Sequence, residues 1–365
     1  MKIVIVGGTR PNFMKIAPLI RAIGKHNKLS DNTIELLFVH TGQHYDYEMS
    51  QIFFKDLQLP KPDVYLNIGS GSHAEQTGRI MIQLESTLIN YNPDIVTVVG
   101  DVNSTLAAAL TAVKLHIPVA HVEAGLRSYD RNMPEEINRI ITDHIADYLF
   151  TTSELDDENL VRENIAKERI FCVGNIMADS LFYNKKAAQK SEVLSRFNLK
   201  ENQFALVTLH RPSNVDDEQT LSRIIKALKA ISKSITVVFP IHPRTKRNIE
   251  KLGISNVFSD DRILLIEPQG YNDFLKLEMR ARLVITDSGG VQVETAIFDT
   301  PCLTILPYQV WPITHMQGNN KLVGSDPNEL IQEVERIINR DTKASFHPKY
   351  WDGKTAARII KILCS

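Results

Sequence analysis

The chain has 365 residues, of which 43% are hydrophobic and 23% are charged, and its formal net charge at pH 7 is −1. This length is too great for one ordinary hydrophobic core, so two domains are expected. The nearly neutral charge lacks the basic surplus of proteins that bind nucleic acid or anionic membranes, and no apolar run reaches the roughly 18 residues that cross a bilayer. Any bound anion must therefore be held by a local site.

The cysteine content and the N-terminus indicate a reducing compartment. Cys172, Cys302 and Cys364 lie far apart and match no metal-binding or redox spacing. The apolar run from Lys2 to Val6 is too short for a signal peptide. We therefore expect a cytoplasmic protein without a metal site.

The N-terminal half alternates short apolar strands with amphipathic helices. Strands are predicted at 2–6, 34–40, 94–99, 119–122 and 148–151, and helices at 12–25, 47–57, 74–91, 106–115 and 134–147. Polar side chains follow the strand ends, namely Arg10, His40, Asp101 and Glu123. Because parallel strands end at one edge of a sheet, where α/β folds bind ligands, these side chains are expected to converge.

The turn after the first strand, Gly-Gly-Thr-Arg-Pro at 7–11, lacks the third glycine of a dinucleotide-binding fingerprint. No nicotinamide cofactor is therefore predicted. Arg10 and Lys15 lie near the end of that strand and form a basic pair suited to a diphosphate. The alternative is a structural arginine beside a solvated lysine.

Three acids in this half are candidates for proton transfer: Asp101, Glu123 and Glu135. Clustered carboxylates raise one another's pKa, so that one can be protonated while another is ionised. The sequence has no Walker lysine and no spaced pair of metal-binding aspartates, so phosphoryl transfer is not predicted. The alternative for Asp101 is that it caps the next helix. Glutamates in a first helical turn often only interact favourably with the helix dipole, and this is the preferred interpretation for Glu136.

The same pattern starts again after a crossover near 174. Strands are predicted at 204–209, 235–240, 263–266, 283–285 and 302–306, with His210 and His242 following the first two. We therefore expect an α/β protein with two Rossmann-like doubly wound domains, at 1–173 and 174–349, facing across a cleft. The C-terminal helix within 350–365 is long enough to pack back on the first domain.

The stretch 283–297 is a strand, a Ser-Gly-Gly turn and a helix start. Free N–H groups at a helix N-terminus, together with the helix dipole, suit an anion, which indicates a phosphate site at Ser288, Gly289 and Gly290. Glu294, one turn later, is suited to ribose hydroxyls. The alternative is that Ser288 only caps the helix and that the glycines form a tight turn.

Gln269 and Phe274 are candidates for contacts with a nucleotide base. The alternative for Phe274 is a core position, because it has the spacing of a buried helical residue.

Seven motifs in order along the chain resemble one family. They are Gly-Thr-Arg-Pro at 8–11, His-Thr-Gly-Gln-His-Tyr-Asp at 40–46, Gly-Asp-Val-Asn-Ser-Thr at 100–105, His-Val-Glu-Ala-Gly-Leu-Arg at 121–127, Met-Pro-Glu-Glu-Ile-Asn-Arg at 133–139, Thr-Leu-His-Arg at 208–211 and Thr-Asp-Ser-Gly-Gly-Val-Gln at 286–292. The sequence resembles the non-hydrolysing UDP-N-acetylglucosamine 2-epimerases, which have the two-domain glycosyltransferase-B fold.

The resemblance implies inversion at C2 of a UDP-sugar without a redox cofactor, through loss of UDP to a 2-acetamidoglucal and its re-addition. It also implies the roles of individual residues. The acid–base residues of the family correspond to Asp101, Glu123 and Glu135. The residues near the diphosphate and its leaving oxygen correspond to Arg10, Lys15 and the catalytic His210. The nucleotide contacts correspond to Gln269 and Phe274 for the uridine pocket, to Ser288, Gly289 and Gly290 for the phosphates, and to Glu294 for the ribose. Family members are often homodimers, and an activator site is implied at Gln43, His44, Asp46 and His242.

One segment departs from the family pattern. The family usually has Arg-x-x-Thr-Glu-Arg-Pro-Glu where this chain has Leu-Pro-Tyr-Gln-Val-Trp-Pro-Ile at 306–313. Leu306, Val310 and Trp311 thus replace two arginines and a glutamate, and tryptophan cannot supply the charge of arginine. Epimerases of UDP-2,3-diacetamido-2,3-dideoxyglucuronate resemble this chain in having the tryptophan, but they keep the preceding glutamate, so the match is partial.

Several functions therefore remain open. The leading hypothesis is conversion of UDP-N-acetylglucosamine to UDP-N-acetylmannosamine for surface polysaccharide precursors. The alternatives are epimerisation of a related UDP-sugar, transfer of the sugar to an acceptor, hydrolysis to the free sugar, and a catalytically inactive regulatory protein that binds a UDP-sugar.

Overall fold

The computed structural model describes residues 1–43, 54, 56–254, 262–339 and 348–365. For Arg10 the description is limited to the backbone. The chain divides into two compact units. The N-terminal unit contains Met1–Tyr183 and Lys349–Ser365, and the C-terminal unit contains Asn184–Pro348.

The N-terminal unit is built on a parallel sheet. Its strands, within the described residues, are β1 (Lys2–Gly7), β2 (Glu35–His40), β3 (Val64–Tyr65), β4 (Ile95–Val99), β5 (Val119–Ala124), β6 (Tyr148–Thr151) and β7 (Ile170–Cys172). The helices are α1 (Arg10–Leu29), α2 (His73–Tyr91), α3 (Asn103–Lys114), α4 (Pro134–Ile145), α5 (Glu154–Arg162) and α6 (Ile176–Gln189). The central strands β4 and β5 are buried along their whole length, as their nearly continuous apolar sequences predict.

The order of these strands is β3-β2-β1-β4-β5-β6-β7. The chain moves from β1 outward through β2 and β3, and then returns to β4 on the other side of β1. The direction of winding therefore reverses between β1 and β4. In open α/β sheets this reversal leaves a crevice at the carboxyl ends of the two strands, which is where ligands bind.

The C-terminal unit repeats this plan. Its strands, within the described residues, are β8 (Phe204–Thr208), β9 (Thr236–Pro240), β10 (Ile263–Ile266), β11 (Leu283–Thr286), β12 (Cys302–Thr304) and β13 (Asn320–Leu322), in the order β10-β9-β8-β11-β12-β13. The helices are α7 (Val193–Arg196), α8 (Pro212–Val215), α9 (Glu218–Ile231), α10 (Pro243–Lys251), α11 (Tyr271–Arg280), α12 (Gly289–Ile297), α13 (Pro312–Met316) and α14 (Pro327–Asn339). The winding reverses between β8 and β11.

The predicted α/β class with two doubly wound, Rossmann-like parallel sheets is confirmed. The differences lie at the ends of elements. Helix α3 begins at Asn103 instead of 106, and α4 ends at Ile145 instead of 147. The division between the units falls after Tyr183, within α6, and not before that helix at 173. The predicted helix at 47–57 lies largely outside the described residues.

The C-terminal segment belongs to the N-terminal unit and ends in helix α15 (Thr355–Leu363). Asp179 of α6 accepts hydrogen bonds from the backbone N–H groups of Thr355 and Ala356, at 3.0 and 2.9 Å. The buried Trp351 indole donates to the carbonyl of Thr152 at 2.9 Å. Asp179 thus caps α15 from a distant helix, because the first N–H groups of a helix have no partner within it.

We expect Asp179→Ala to lower the free energy of unfolding of the N-terminal unit by about 1–2 kcal/mol, the usual effect of removing a side chain that caps a helix. Denaturant unfolding of the full chain, followed by circular dichroism, measures this change. The control is Glu154→Ala, which removes an exposed ion pair between the same segment and α5 and should change stability by less than about 0.5 kcal/mol. Equal effects of the two substitutions would contradict the capping role.

Candidate active site

In the N-terminal unit, the loops that follow β1 and β4 meet at the crevice. The Asn12 amide donates to the carbonyl of Val99 at 3.0 Å and so ties the start of α1 to the end of β4. Gly100 has a φ of +68°, which favours glycine, and a Cβ atom at this position would lie 2.9 Å from the Lys15 ammonium. Glycine is therefore needed here for Lys15 to reach across β4.

The ammonium group of Lys15 binds the carboxylate of Glu123 at the end of β5, with 2.6 Å between Nζ and Oε1. Both side chains are buried, at 7% and 5% exposure. Glu123 has a φ of +75°, unusual for a residue with a side chain, and lies where the register between β5 and β6 shifts. Such strain is typical of functional sites, because the surrounding structure must hold it in place.

Burial raises the pKa of the Glu123 carboxyl, and the neighbouring Lys15 ammonium only partly offsets this effect. The nearby charge of Asp101 acts in the same direction as burial. Within the described residues, the second carboxylate oxygen of Glu123 is buried and has no hydrogen-bond partner. Glu123 is therefore a carboxyl with a raised pKa and one oxygen available to exchange a proton, as a general base requires.

Lys15 is predicted from the sequence to bind a diphosphate, whereas in the structure its ammonium binds the carboxylate of Glu123. The other member of the predicted basic pair, Arg10, is the first residue of α1, and its side chain lies outside the description. The diphosphate role of both residues stays a prediction. Lys15 has in addition the role of holding the charge on Glu123.

Asp101 follows β4 and pairs with Arg139 of α4, with 2.5 Å between Oδ2 and Nη1. Its side chain is 27% exposed. The residue at the N-cap of α3 is Val102, so the carboxylate of Asp101 does not occupy the capping position that was considered for it. Asp101 is thus a partly accessible carboxylate close enough to Glu123 to influence its charge.

The two neighbouring glutamates at the start of α4 have different environments. Glu136 is buried and accepts hydrogen bonds from the backbone N–H groups of Ser128 and Tyr129, and from the Arg139 guanidinium. Burial alone would raise the pKa of Glu136, but these donors hold it below its usual value. Glu135 is half-buried, and its carboxylate makes no hydrogen bond within the described part of the chain. Glu136 therefore fixes the loop, and Glu135 is available for chemistry.

Sequence reasoning missed a buried network behind Glu123. The His121 ring contacts Asp143 of α4 at 2.6 Å and the carbonyl of Gly100 at 2.8 Å, and both residues of the pair are fully buried. Asp143 also accepts from the Arg127 guanidinium and from the N–H of Gly125. The network therefore fixes the backbone on both sides of Glu123. The alternation of His121 with Glu123 along β5 was the signal that could have identified it.

In the C-terminal unit, the second reversal brings the ends of β8 and β11 together. Ser288 is the N-cap residue of α12 and, within the described residues, its hydroxyl makes no capping hydrogen bond. Ser288, Gly289 and Gly290 are half-buried. The N–H groups of the first helical turn lack partners in the helix, so the predicted phosphate position coincides with a helix N-terminus at the expected edge of the sheet.

His210 follows β8 and is oriented by Asp287, which precedes the Ser-Gly-Gly turn. The His210 ring nitrogen Nδ1 lies 3.1 Å from Asp287 Oδ1. The fully buried Asp287 also accepts from the N–H groups of His210 and Arg211 and from the Asn214 amide. Burial raises the pKa of Asp287, but these donors together hold it below its usual value. Asp287 thus remains ionised and fixes one ring nitrogen of His210, whose side chain is 42% exposed.

The remaining nucleotide candidates lie in the loop before α11, in α11 and in α12. Glu294 is buried and accepts from the Tyr271 hydroxyl at 3.3 Å. The Gln269 amide donates to the carbonyl of Glu267 at 2.6 Å. Phe274 is partly buried against the apolar cluster that includes Leu277 and Val284, in agreement with its core-like spacing. The uridine and ribose roles of these residues stay predictions.

The activator-site residues are only partly described. Gln43 is buried, and its side-chain oxygen accepts from the hydroxyl of Ser104 at 2.7 Å, so it stabilises the start of α3. His242 is the N-cap of α10 and accepts from the N–H of Arg244 at 3.2 Å. His44 and Asp46 lie outside the described residues. Within the part of the chain that is described, no three metal-ligating side chains group together.

The substituted segment lies against the phosphate candidate. Leu306 and Trp311 are buried, at 1% and 3% exposure. A Cβ atom on Gly289 would lie 3.2 Å from a Val310 methyl group and 3.5 Å from the Trp311 indole nitrogen. The Val310 methyl group and the Trp311 indole thus cover one side of the α12 N-terminus, in the segment where the family motif has arginine.

Comparisons with known proteins agree over the whole chain. A family model described as UDP-N-acetylglucosamine 2-epimerase matches residues 27–364. A relative of that name from Methanocaldococcus jannaschii is 45% identical and covers 100% of this chain and 99% of its own length. A relative from Pseudomonas aeruginosa is named UDP-2,3-diacetamido-2,3-dideoxy-D-glucuronate 2-epimerase. It is 40% identical, and the match covers 100% of this chain and 99% of the relative.

The crystal structure of the Methanocaldococcus jannaschii UDP-GlcNAc 2-epimerase in complex with UDP-GlcNAc and UDP is also similar to this chain. It matches with a TM-score of 0.90 and 44% sequence identity, covering 100% of this chain and 99% of that one.

The contrast between the two glutamates of α4 can be tested by stability. We expect Glu136→Gln to lower the free energy of unfolding by about 1–3 kcal/mol, because it leaves buried donors without their charged acceptor. Glu135→Gln should change it by less than about 0.5 kcal/mol, as for other surface substitutions. Urea denaturation of both variants measures the difference, and an equal loss in Glu135→Gln would contradict the assignment.

Proposed function

Because the chain belongs to the UDP-N-acetylglucosamine 2-epimerase family and is an isomerase, we propose that it interconverts UDP-N-acetylglucosamine and UDP-N-acetylmannosamine. The observation that carries this proposal is the buried Glu123, strained and held by Lys15, with one unpartnered oxygen beside the partly exposed Asp101. A protein that only binds nucleotide sugars has no need of such acids.

The proposed reaction proceeds by anti elimination and re-addition of UDP. A carboxylate removes the proton from C2, the C1–O bond breaks with its electron pair leaving on UDP, and a C1=C2 double bond forms. A carboxyl on the other face then delivers a proton to C2 while the UDP oxygen attacks C1. Glu123, Asp101 and Glu135 are the groups for these two proton transfers, because they differ in burial and in charge partners.

The C-terminal unit supplies the nucleotide contacts in this proposal. The α12 N-terminus at Ser288, Gly289 and Gly290 binds phosphate oxygens through N–H groups and the helix dipole. His210, held by Asp287, donates to the oxygen of the departing diphosphate. Donors fixed in advance around the leaving group stabilise the charge that develops on it, which lowers the barrier of elimination.

A second substrate is supported by the segment around Trp311. Val310 and Trp311 bring apolar groups to the α12 N-terminus, and the relative from Pseudomonas aeruginosa has a different UDP-sugar in its name. A 2,3-diacetamido uronate therefore remains the alternative substrate. The elimination at C2 and the acids that perform it would be the same.

We place the enzyme in the cytoplasm as a homodimer that makes precursors of surface polysaccharides. Within the described residues, no helix combines the length and apolar character needed to span a membrane. UDP-sugars are the activated sugars used for such polymers, and the epimerisation needs no partner macromolecule.

Isotope exchange at C2 tests the proposal. Purified protein incubated with UDP-N-acetylglucosamine in deuterated water should incorporate deuterium at C2 and form both epimers, as measured by NMR. Asp101→Asn and Glu123→Gln should each lower the rate by about 10²–10⁴-fold, the usual contribution of a general acid or base. Glu158→Gln, on the exposed face of the same unit, is the matched control and should keep the wild-type rate.

The outcomes of this assay separate the alternatives. Exchange only with the 2,3-diacetamido uronate would replace the substrate and keep the mechanism. Release of free sugar would indicate hydrolysis. Transfer to an acceptor that survives both acid substitutions would indicate a glycosyltransferase, and UDP binding without exchange on any UDP-sugar would leave a regulatory protein.

The ion pair of Glu123 leads to a pH prediction. Loss of Lys15 removes a charge that lowers the pKa of Glu123, so Lys15→Met should raise that pKa further. A base with a higher pKa is protonated over more of the acidic range, so the acidic limb of the exchange rate should move to higher pH. The control Lys114→Met, an exposed residue of α3, should leave the profile in place, and an unmoved limb in Lys15→Met would exclude Glu123 as the base.

A further inference from the structure

A second buried acid accompanies the ribose candidate of the C-terminal unit. Glu278 of α11 is 0% exposed and Glu294 of α12 is 5% exposed. The two helices pack against each other, and the charge of Glu294 acts on the carboxyl of Glu278. Within the described residues, no donor reaches either carboxylate oxygen of Glu278. Nothing in the proposed reaction uses Glu278, so its place beside Glu294 needs an explanation.

Two ionised carboxylates cannot lie side by side in a buried site, because neither their repulsion nor their desolvation is compensated. The pair must therefore hold a proton near neutral pH. Glu294 accepts a hydrogen bond from the Tyr271 hydroxyl, whereas Glu278 has no donor that would stabilise its charge. The charged form is thus favoured at Glu294 and the protonated form at Glu278.

The remaining neighbours agree with this assignment. Burial and the charge of Glu294 raise the pKa of Glu278 well above its ordinary value. Burial also raises the pKa of Glu294, while hydrogen bonds from Glu278 and Tyr271 oppose the rise. The buried Cys302 is itself neutral, because burial raises its pKa to about 11. No cation among these groups neutralises the pair.

We propose that Glu278 is a positioning residue that carries the shared proton and donates it to Glu294, which keeps Glu294 ionised as the acceptor for the hydroxyls of a ribose. This inference rests on the proposed function, in which the C-terminal unit binds a uridine diphosphate. It extends that function, because the protonated Glu278 of α11 then determines how strongly the site prefers a ribose over a deoxyribose.

The test compares UDP with 2′-deoxy-UDP by isothermal titration calorimetry on the full chain. A hydrogen bond to a charged acceptor contributes enough to make the wild type prefer UDP by about 10–100-fold. In Glu278→Leu the donor to Glu294 is lost, so the preference should fall below about 3-fold while the affinity for 2′-deoxy-UDP stays nearly constant. Glu278→Gln keeps a donor and should restore most of the preference.

The matched control is Thr300→Val. The Thr300 hydroxyl donates to the backbone carbonyl of Glu278 at 3.1 Å and does not act through the carboxyl. This variant should keep the wild-type preference even if it loses stability. An unchanged preference in folded Glu278→Leu would reduce Glu278 to a structural residue and overturn the inference.

A stability measurement covers the case in which Glu278→Leu does not fold. An acid with a raised pKa in the folded state keeps its proton while the unfolded chain loses it, so the melting temperature falls as pH rises above the ordinary glutamate pKa. In Glu278→Gln the melting temperature should fall less between pH 5 and 8, because the contribution of the Glu278 proton is absent. Parallel curves for the wild type and Glu278→Gln would overturn the protonation of Glu278.

These measurements also separate this inference from the proposed function. A wild-type protein that binds no UDP and exchanges no deuterium at C2 would refute the proposed function, and the inference about ribose with it. Normal exchange at C2 with a preference for UDP that does not depend on Glu278 would refute the inference alone.

Discussion

The ion pair between Lys15 and Glu123 is the interaction on which the catalytic edge of the N-terminal unit depends. Removing two charges from water costs several kcal/mol each, and their attraction compensates this only when the geometry is well held. Here the geometry is held by the parallel order of β1, β4 and β5, which places the start of α1 over Gly100 and opposite the end of β5. The position of the candidate base and of its cation is therefore fixed by the fold itself.

Four acids of the N-terminal unit, Asp101, Glu136, Asp143 and Glu163, are each paired with an arginine. Arg139 lies between Asp101 and Glu136, and Arg127 lies between Asp143 and Glu163. Only part of this charge is accessible, since Asp101 is partly exposed while Asp143 is fully buried. The buried pairs position the backbone, and the exposed ends of the same networks remain free for a ligand.

The C-terminal unit treats its buried acids differently. Asp287 is stabilised as an anion by N–H groups and by His210, whereas no cation in the described part of the chain pairs with Glu278 or Glu294, and we infer that these two share a proton. The first arrangement gives a permanent charge that orients an imidazole. In the second, the proton that we assign to Glu278 keeps Glu294 ionised. The unit thus stabilises one buried acceptor with N–H donors and an imidazole, and the other with a neighbouring acid.

Much of this organisation follows from local sequence patterns, and the part that does not depends on distant contacts. The ends of β4 and β5 place Asp101 and Glu123 correctly because a strand end is a local feature. The partner of Glu123 is 108 positions away in sequence, and the partner of His121 is on another helix, so neither pairing is visible in the pattern. Glu278 looks like any helical glutamate, because only the packing of α11 against α12 shows that it is buried.

The packing around Trp311 determines where positive charge can come from at the phosphate candidate. Trp311 and Val310 cover the start of α12 with apolar groups, so this segment contributes no cation there. The Arg211 guanidinium, however, donates through Nε to the carbonyl of Asp287 at 3.0 Å and through Nη1 to the Tyr308 hydroxyl at 2.7 Å. Since Asp287 immediately precedes Ser288, Arg211 brings its charge to the same turn from β8 instead of from the 306–313 loop. Arg211 belongs to the Thr-Leu-His-Arg motif at 208–211 that this chain shares with the family, so it does not replace the arginines absent at 306 and 311. The departure at 306–313 therefore changes both the shape and the charge beside the α12 N-terminus.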